Sequence, residues 1–193
     1  MTKIDDVVVI TGASGGIGRA LALRLAGDGK RIVLAARRPT ELKQVAGEVM
    51  KRGAADVLEV PTDVTKRDDV NALRDAAIAK FGAIDIWINN AGRGITKQTL
   101  DLTDDDVDEM MSVNLKSALY GMQAVIPHFI EREKGHLINI SSFLGRVPVS
   151  SYRSAYSASK AALNSLTANV RMDLLARYPN IHVTLVMPGV VST

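Results

Sequence analysis

Tyr156 stands four residues before Lys160 in the small-residue stretch 154–163, SAYSASKAAL. Positions i and i+4 are neighbours on a helix face. A free tyrosine has a pKa of about 10 and is a poor base near neutrality. An adjacent ammonium stabilises the phenolate, and a second cation would do so further. Bringing the phenol to about pH 7 takes roughly 4 kcal/mol, within reach of two close positive charges in a dry cleft. Such a phenol can exchange the proton that accompanies hydride transfer at a carbonyl or alcohol carbon. The competing reading is a packed tyrosine beside a solvated lysine. Four tyrosines and ten lysines in 193 residues produce this spacing by chance about 0.2 times, so the context has to decide. Ser142, 14 residues before Tyr156, adds a hydroxyl that can hold a substrate oxygen while Tyr156 protonates it; bonded to backbone instead, it merely ends a strand.

The elements that would position these groups follow from periodicity. Apolar or β-rich runs at 7–10, 31–36, 57–60, 84–89, 136–141 and 182–187 read as six strands. Between them lie helical stripes: Ile17, Leu21 and Leu25; Leu42, Val45 and Val49; Val70, Leu73 and Ala77. Thr103, followed by three aspartates, predicts an N-cap that opens one long helix to about residue 130. A last helix is expected over 154–177. Strands alternating with helices imply right-handed crossovers, hence an α/β doubly wound parallel sheet with helices on both faces. The expected strand order is 3-2-1-4-5-6, in one domain over 1–193. The two long helices are apolar beyond one stripe, as at Val107, Met110, Leu115, Met122 and Phe129 and at Ala158, Leu166, Val170 and Leu175. They are expected to face another subunit as well as the sheet.

The first strand runs into TGASGGIG, residues 11–18. Gly12 permits a tight turn, and Gly16 and Gly18 let backbone approach a pyrophosphate at a helix N-terminus, where Ser14 adds a hydroxyl. About 20 residues further on, an acid would read a ribose 2′-hydroxyl. Ala35 and Ala36 stand there, followed by Arg37 and Arg38. Guanidinium groups suit a 2′-phosphate, so NADP(H) is favoured over NAD(H). A basic turn before a helix is the alternative. Asp63, after the third strand, is placed to meet the adenine edge. Asn89 and Asn90, in NNAG, either order a loop beside a dinucleotide or make a structural turn. Asn114, in an apolar helix, needs a partner for its amide.

Composition removes several chemistries. Cysteine is absent, so disulfides, thiolate nucleophiles and Cys-bound metals are absent with it. His128, His136 and His182 lie far apart without carboxylates at ligand spacing, so no metal site is expected. The net charge of +3 is scattered, which gives no indication of nucleic acid or a membrane as partner. No signal peptide is read at the start, and the expected location is cytoplasmic.

Together these motifs make the chain resemble the short-chain dehydrogenase/reductase family over essentially its whole length: TGASGGIG, Asp63-Val64, NNAG, Asn114, the Ser142 region, YSASK and PGVVST at 188–193. The resemblance implies a Rossmann-type fold and an NAD(P)-dependent oxidoreductase acting on CH–OH groups. It implies Tyr156 as acid–base residue, with Lys160 lowering its pKa and holding the nicotinamide ribose. Ser142 would orient the carbonyl, and Asn114 would support a water relay from Lys160. Gly12, Ser14, Gly16, Ile17 and Gly18 would hold the phosphates, and Asp63 and Val64 would flank the adenine. Asn90 and Ala91 would line the groove, and Pro188, Gly189, Val191 and Thr193 would meet the nicotinamide. Homodimers or homotetramers through helices 103–130 and 154–177 are also implied. Two departures stand out. Gly15 occupies a place that is basic in many NADP-preferring relatives. The sequence also stops at Thr193, so the usual C-terminal strand and substrate loop, where specificity would mostly reside, are expected to be lacking. A non-catalytic NADP(H)-binding or sensing protein and a nucleotide-sugar epimerase or dehydratase are the rival readings.

Overall fold

The computed structural model describes residues 6–147 and 149–190. Its six strands are β1 (Val7–Thr11), β2 (Arg31–Ala36), β3 (Asp56–Pro61), β4 (Ile86–Asn89), β5 (Gly135–Ile140) and β6 (Ile181–Val186). They form one sheet in the order β3-β2-β1-β4-β5-β6, and every neighbouring pair is parallel. The helices are α1 (Gly16–Ala26), α2 (Pro39–Arg52), α3 (Arg67–Phe81), α4 (Asp104–Met111), α5 (Ser117–Glu131) and α6 (Ser154–Leu175).

β1 is buried along its length, as its unbroken Val-Val-Val-Ile run requires of a central parallel strand. Alternate side chains feed two cores. Val7 and Val9 pack with Leu73, Val125, Phe129 and Leu163 from α3, α5 and α6. Val8 and Ile10 pack with Ala22, Leu42, Val45 and Val49 from α1 and α2. The sheet is therefore covered on both faces, and the turns after β1, β4 and β5 gather at its C-terminal edge, where the order reverses between β1 and β4.

Three expectations need correction. The helix expected over 103–130 is two helices joined by a π-turn, Ser112–Lys116. Thr103 does cap α4: its hydroxyl accepts from Asp106 N, and the Asp106 carboxylate accepts from Thr103 N at 2.8 Å. β4 starts at Ile86 rather than at residue 84. The Ile84 backbone is satisfied by side chains instead of a ladder, since its N–H donates to His128 Nε2 at 3.1 Å and its carbonyl accepts from Arg132. α6 ends at Leu175, short of residue 177. Along the long helices, Met122, Phe129 and Leu163 are buried in the core against the sheet and Met110 is buried beside Asn114, whereas Val107, Met172 and Leu175 are exposed.

Candidate active site

The turn after β1 is built by close backbone approach. Gly12 has φ +68°, and a side chain there would put Cβ 2.8 Å from Ala91 Cα. A Cβ on Gly18 would overlap the Gly12 carbonyl and lie 2.6 Å from Asn90 Nδ2. Asn90 Nδ2 donates to Thr11 O at 2.9 Å and Gly12 O at 3.3 Å. Thr11 Oγ1 returns the link by accepting from Asn90 N at 3.0 Å and Ala91 N at 3.1 Å. The loops after β1 and β4 are thus one clamped unit. α1 begins here without any side-chain cap, unlike α4, and Gly15, Gly16 and Ile17 line the cleft beside it. Its first N–H groups stay available to an anion. This fits the phosphates of a dinucleotide.

Beside it lies a recess of about 340 Å³ lined by Ser14, Arg37, Arg38, Asp63, Val64 and Val113, among others. Arg38 pairs with Glu41 at 3.0 Å. Arg37 is exposed and forms no ion pair among the described residues. Asp63 accepts from Thr65 Oγ1 at 2.7 Å and from Thr65 N at 3.1 Å. The Thr65 hydroxyl, aided by the Thr65 N–H, Lys66 and Arg37, holds its carboxyl below the usual range against the effect of burial.

The main cleft, about 780 Å³, brings together Gly12, Asn90, Ser142, Tyr156, Lys160 and Pro188, with Ala91 and Gly189 also on its wall. Lys160 is 3% exposed, and its Nζ donates to Ile140 O at 3.0 Å. The ammonium lies 5.9 Å from the Tyr156 ring centroid. Burial lowers its pKa to about 8, and no carboxylate pairs with it among the described residues. Ser142 is buried and caps a 3-10 turn, its Oγ accepting from Leu144 N at 3.2 Å. Adding a Cβ to Gly145, at the end of that turn, would bring it 2.7 Å from the Lys160 backbone, so the turn seats directly on α6.

Asn114 sits in the π-turn and makes the contacts its burial demands. Its Oδ1 accepts from Arg93 N at 2.9 Å, and its Nδ2 donates to Arg93 O at 2.8 Å and Ser159 Oγ at 3.1 Å. Ser159 in turn donates to the Tyr156 carbonyl at 2.7 Å. Asn114 therefore ties the loop after β4 to the helix carrying Tyr156. Asn89 does not join the site. It belongs to a buried row running from Trp87 Nε1 through Asn89 and Asn139 to Thr167. Val191 and Thr193 lie outside the described residues. Sequence reasoning missed Thr11, Arg93, Arg153 and Ser159; of these Thr11, next to the first glycine, and Ser159, inside YSASK, carried a local signal.

No group of three or more His, Asp or Glu capable of holding a metal occurs among the described residues. No helix among them is long and apolar enough to cross a membrane. The sequence model described as short chain dehydrogenase matches residues 6–193. An uncharacterized oxidoreductase of Staphylococcus aureus (strain N315) is 39% identical over 189 residues, covering 98% of this chain and 79% of the relative. One from Bacillus subtilis (strain 168) is 38% identical over 191 residues, covering 98% of this chain and 53% of the relative. Among solved structures, a Thermococcus sibiricus alcohol dehydrogenase complexed with 5-hydroxy-NADP superposes with a TM-score of 0.90 at 29% identity, covering 98% of this chain and 78% of that one. A Burkholderia phymatum short chain dehydrogenase/reductase in complex with NAD gives 0.93 at 32% identity, covering 99% and 68%.

Proposed function

The chain belongs to the short-chain dehydrogenase family of oxidoreductases, and from that membership we propose that it moves a hydride between NADP(H) and a carbonyl or alcohol, with Tyr156 as general acid and base. One observation carries the reading: a buried ammonium without a carboxylate partner among the described residues, Lys160, beside Tyr156 in a cleft that also holds Ser142 and the open end of α1. The nicotinamide supplies or accepts the hydride when bound. Lys160 remains mostly protonated at pH 7 and sets its charge beside the Tyr156 ring. Ser142 orients the substrate oxygen. Asn114 holds the Arg93 backbone and Ser159 in place and supports proton return toward Lys160. Gly12, Ser14, Gly16, Ile17 and Gly18 hold the phosphates, and Asn90 and Ala91 form the groove between them and the reacting end. Asp63 and Val64 flank the adenine. Pro188, Gly189, Val191 and Thr193 complete the nicotinamide end.

NADP(H) is the preferred cofactor in this proposal because Arg37 lines the adenosine recess with no acid bound to it among the described residues. The similar structures contain an NADP derivative in one case and NAD in the other. Residues 1–193 act as one dinucleotide-binding unit. A cytoplasmic homo-oligomer paired through the helices over 103–131 and 154–175 would cover exposed Val107, Met172 and Leu175. The test is Tyr156→Phe. Carbonyl-dependent NADPH oxidation should fall by about 10³-fold or more, while NADPH affinity by fluorescence titration stays within about threefold. Comparable turnover in the variant would remove Tyr156 from the mechanism.

A further inference from the structure

The charge lining the main cleft is one-sided. Arg93, Arg153 and Lys160 contribute to its wall, and no aspartate or glutamate does among the described residues. Two of these cations have evident tasks. Lys160 serves Tyr156, and Arg93 pairs with Glu109 and also lines the adenosine recess. Arg153 lines only the cleft. It forms no ion pair among the described residues, and its one side-chain hydrogen bond, Nη1 to Ile95 O, is at the 3.5 Å limit. Its place is specific. A Cβ on Gly94 would lie 2.8 Å from Arg153 Nη1 and 4.0 Å from Tyr156 Cδ2, so the guanidinium and the phenol ring flank one point. An arginine half-withdrawn from water with spare forked donors fits a planar anion.

We propose that the substrate is an oxo acid, or the matching hydroxy acid, whose carboxylate is bound by Arg153 while its carbonyl faces Tyr156. This rests on the hydride-transfer reading above. In the reducing direction the carbonyl carbon takes a hydride from the dihydronicotinamide and the oxygen takes the Tyr156 proton. Solvent then reprotonates the phenolate, and the carboxylate is unchanged.

The experiment compares linear 2-, 4- and 5-oxo acids with their methyl esters, on wild type and on Arg153→Gln and Arg153→Lys. At least one acid should exceed its ester in kcat/KM by about tenfold to a hundredfold, the worth of one charge-assisted contact. The Gln variant should bring that ratio to about one, chiefly through KM, and the Lys variant should keep part of it. A binding readout accompanies this: the preferred acid should change the fluorescence of bound NADPH in wild type and not in the Gln variant. A merely structural Arg153 would leave the acid-to-ester ratio intact. Esters matching every acid, or an acid preference that survives Arg153→Gln, overturns the inference and leaves hydride transfer standing. Failure to bind either dinucleotide, with no turnover of any carbonyl, overturns the hydride-transfer reading and this inference with it.

Discussion

The two edges of the sheet differ in how they treat charge. At the N-terminal edge the cations sit beside acids: Lys30 with Asp6 at 3.1 Å, Lys80 with Asp56 at 3.0 Å and Arg132 with Asp85 at 2.9 Å. At the C-terminal edge Arg38 and Arg93 are paired, with Glu41 and Glu109, but Lys160, Arg37 and Arg153 have no such pairs among the described residues. The contrast is sharpest between two lysines, Lys30 and Lys160, at 2% and 3% exposure. The first is neutralised within the fold. The second is held by one carbonyl, and burial lowers its pKa from 10.5 to about 8. Buried charge that is paired holds structure together, whereas buried charge left unpaired costs stability and is kept for a ligand.

Substitutions at the two edges should therefore separate stability from activity. Asp6→Ala removes one charge-assisted hydrogen bond from buried Lys30 and should cost about 1.5–3 kcal/mol in urea unfolding, with cofactor affinity unchanged. A loss below about 0.5 kcal/mol would erase the distinction between the edges. Lys160→Met should do the reverse, lowering turnover by about a hundredfold or more while raising the stability of the cofactor-free protein by roughly 1–3 kcal/mol at pH 7. The sign follows from proton binding. Between the lowered pKa of about 8 and the ordinary value of 10.5, the unfolded chain holds more protons than the folded one. Wild-type stability should therefore rise with pH across that window, by about 3 kcal/mol at most, and Lys160→Met should lack the rise. A Met variant that is less stable, with the wild-type pH slope, would contradict this account. The smallest effect is expected at exposed Arg37: Arg37→Ser should weaken NADPH about tenfold and leave NADH where it was. Equal weakening of both would return Arg37 to the role of a basic turn.

Much of this was legible in the sequence because it is local. The alternation of runs and stripes predicts a parallel sheet covered on both faces, and the glycine spacing predicts the open start of α1. Tyr156 and Lys160 share a face because four residues make about one turn. What escaped depends on distant partners. Asn89 and Asn90 are adjacent and chemically alike, yet one faces Asn139 across the β4–β5 register and the other faces Thr11. Nothing within a few residues of either distinguishes them. The same holds for Ile84, whose strand pairing is replaced by His128 and Arg132 from 44 and 48 residues away.

The π-turn between α4 and α5 sets a rotational phase. Along an uninterrupted α-helix, the 12 steps from Met110 to Met122 accumulate about 120° of drift, enough to carry the later residues off the face that begins the row. A π-turn absorbs roughly one residue without adding its rotation, which reduces the drift to about 20°. Met110, Asn114, Ala118 and Met122 are accordingly all buried. The surplus residue works as a gear tooth, letting a single helical run grip the cleft with Asn114 and the sheet with Met122 without unwinding between them.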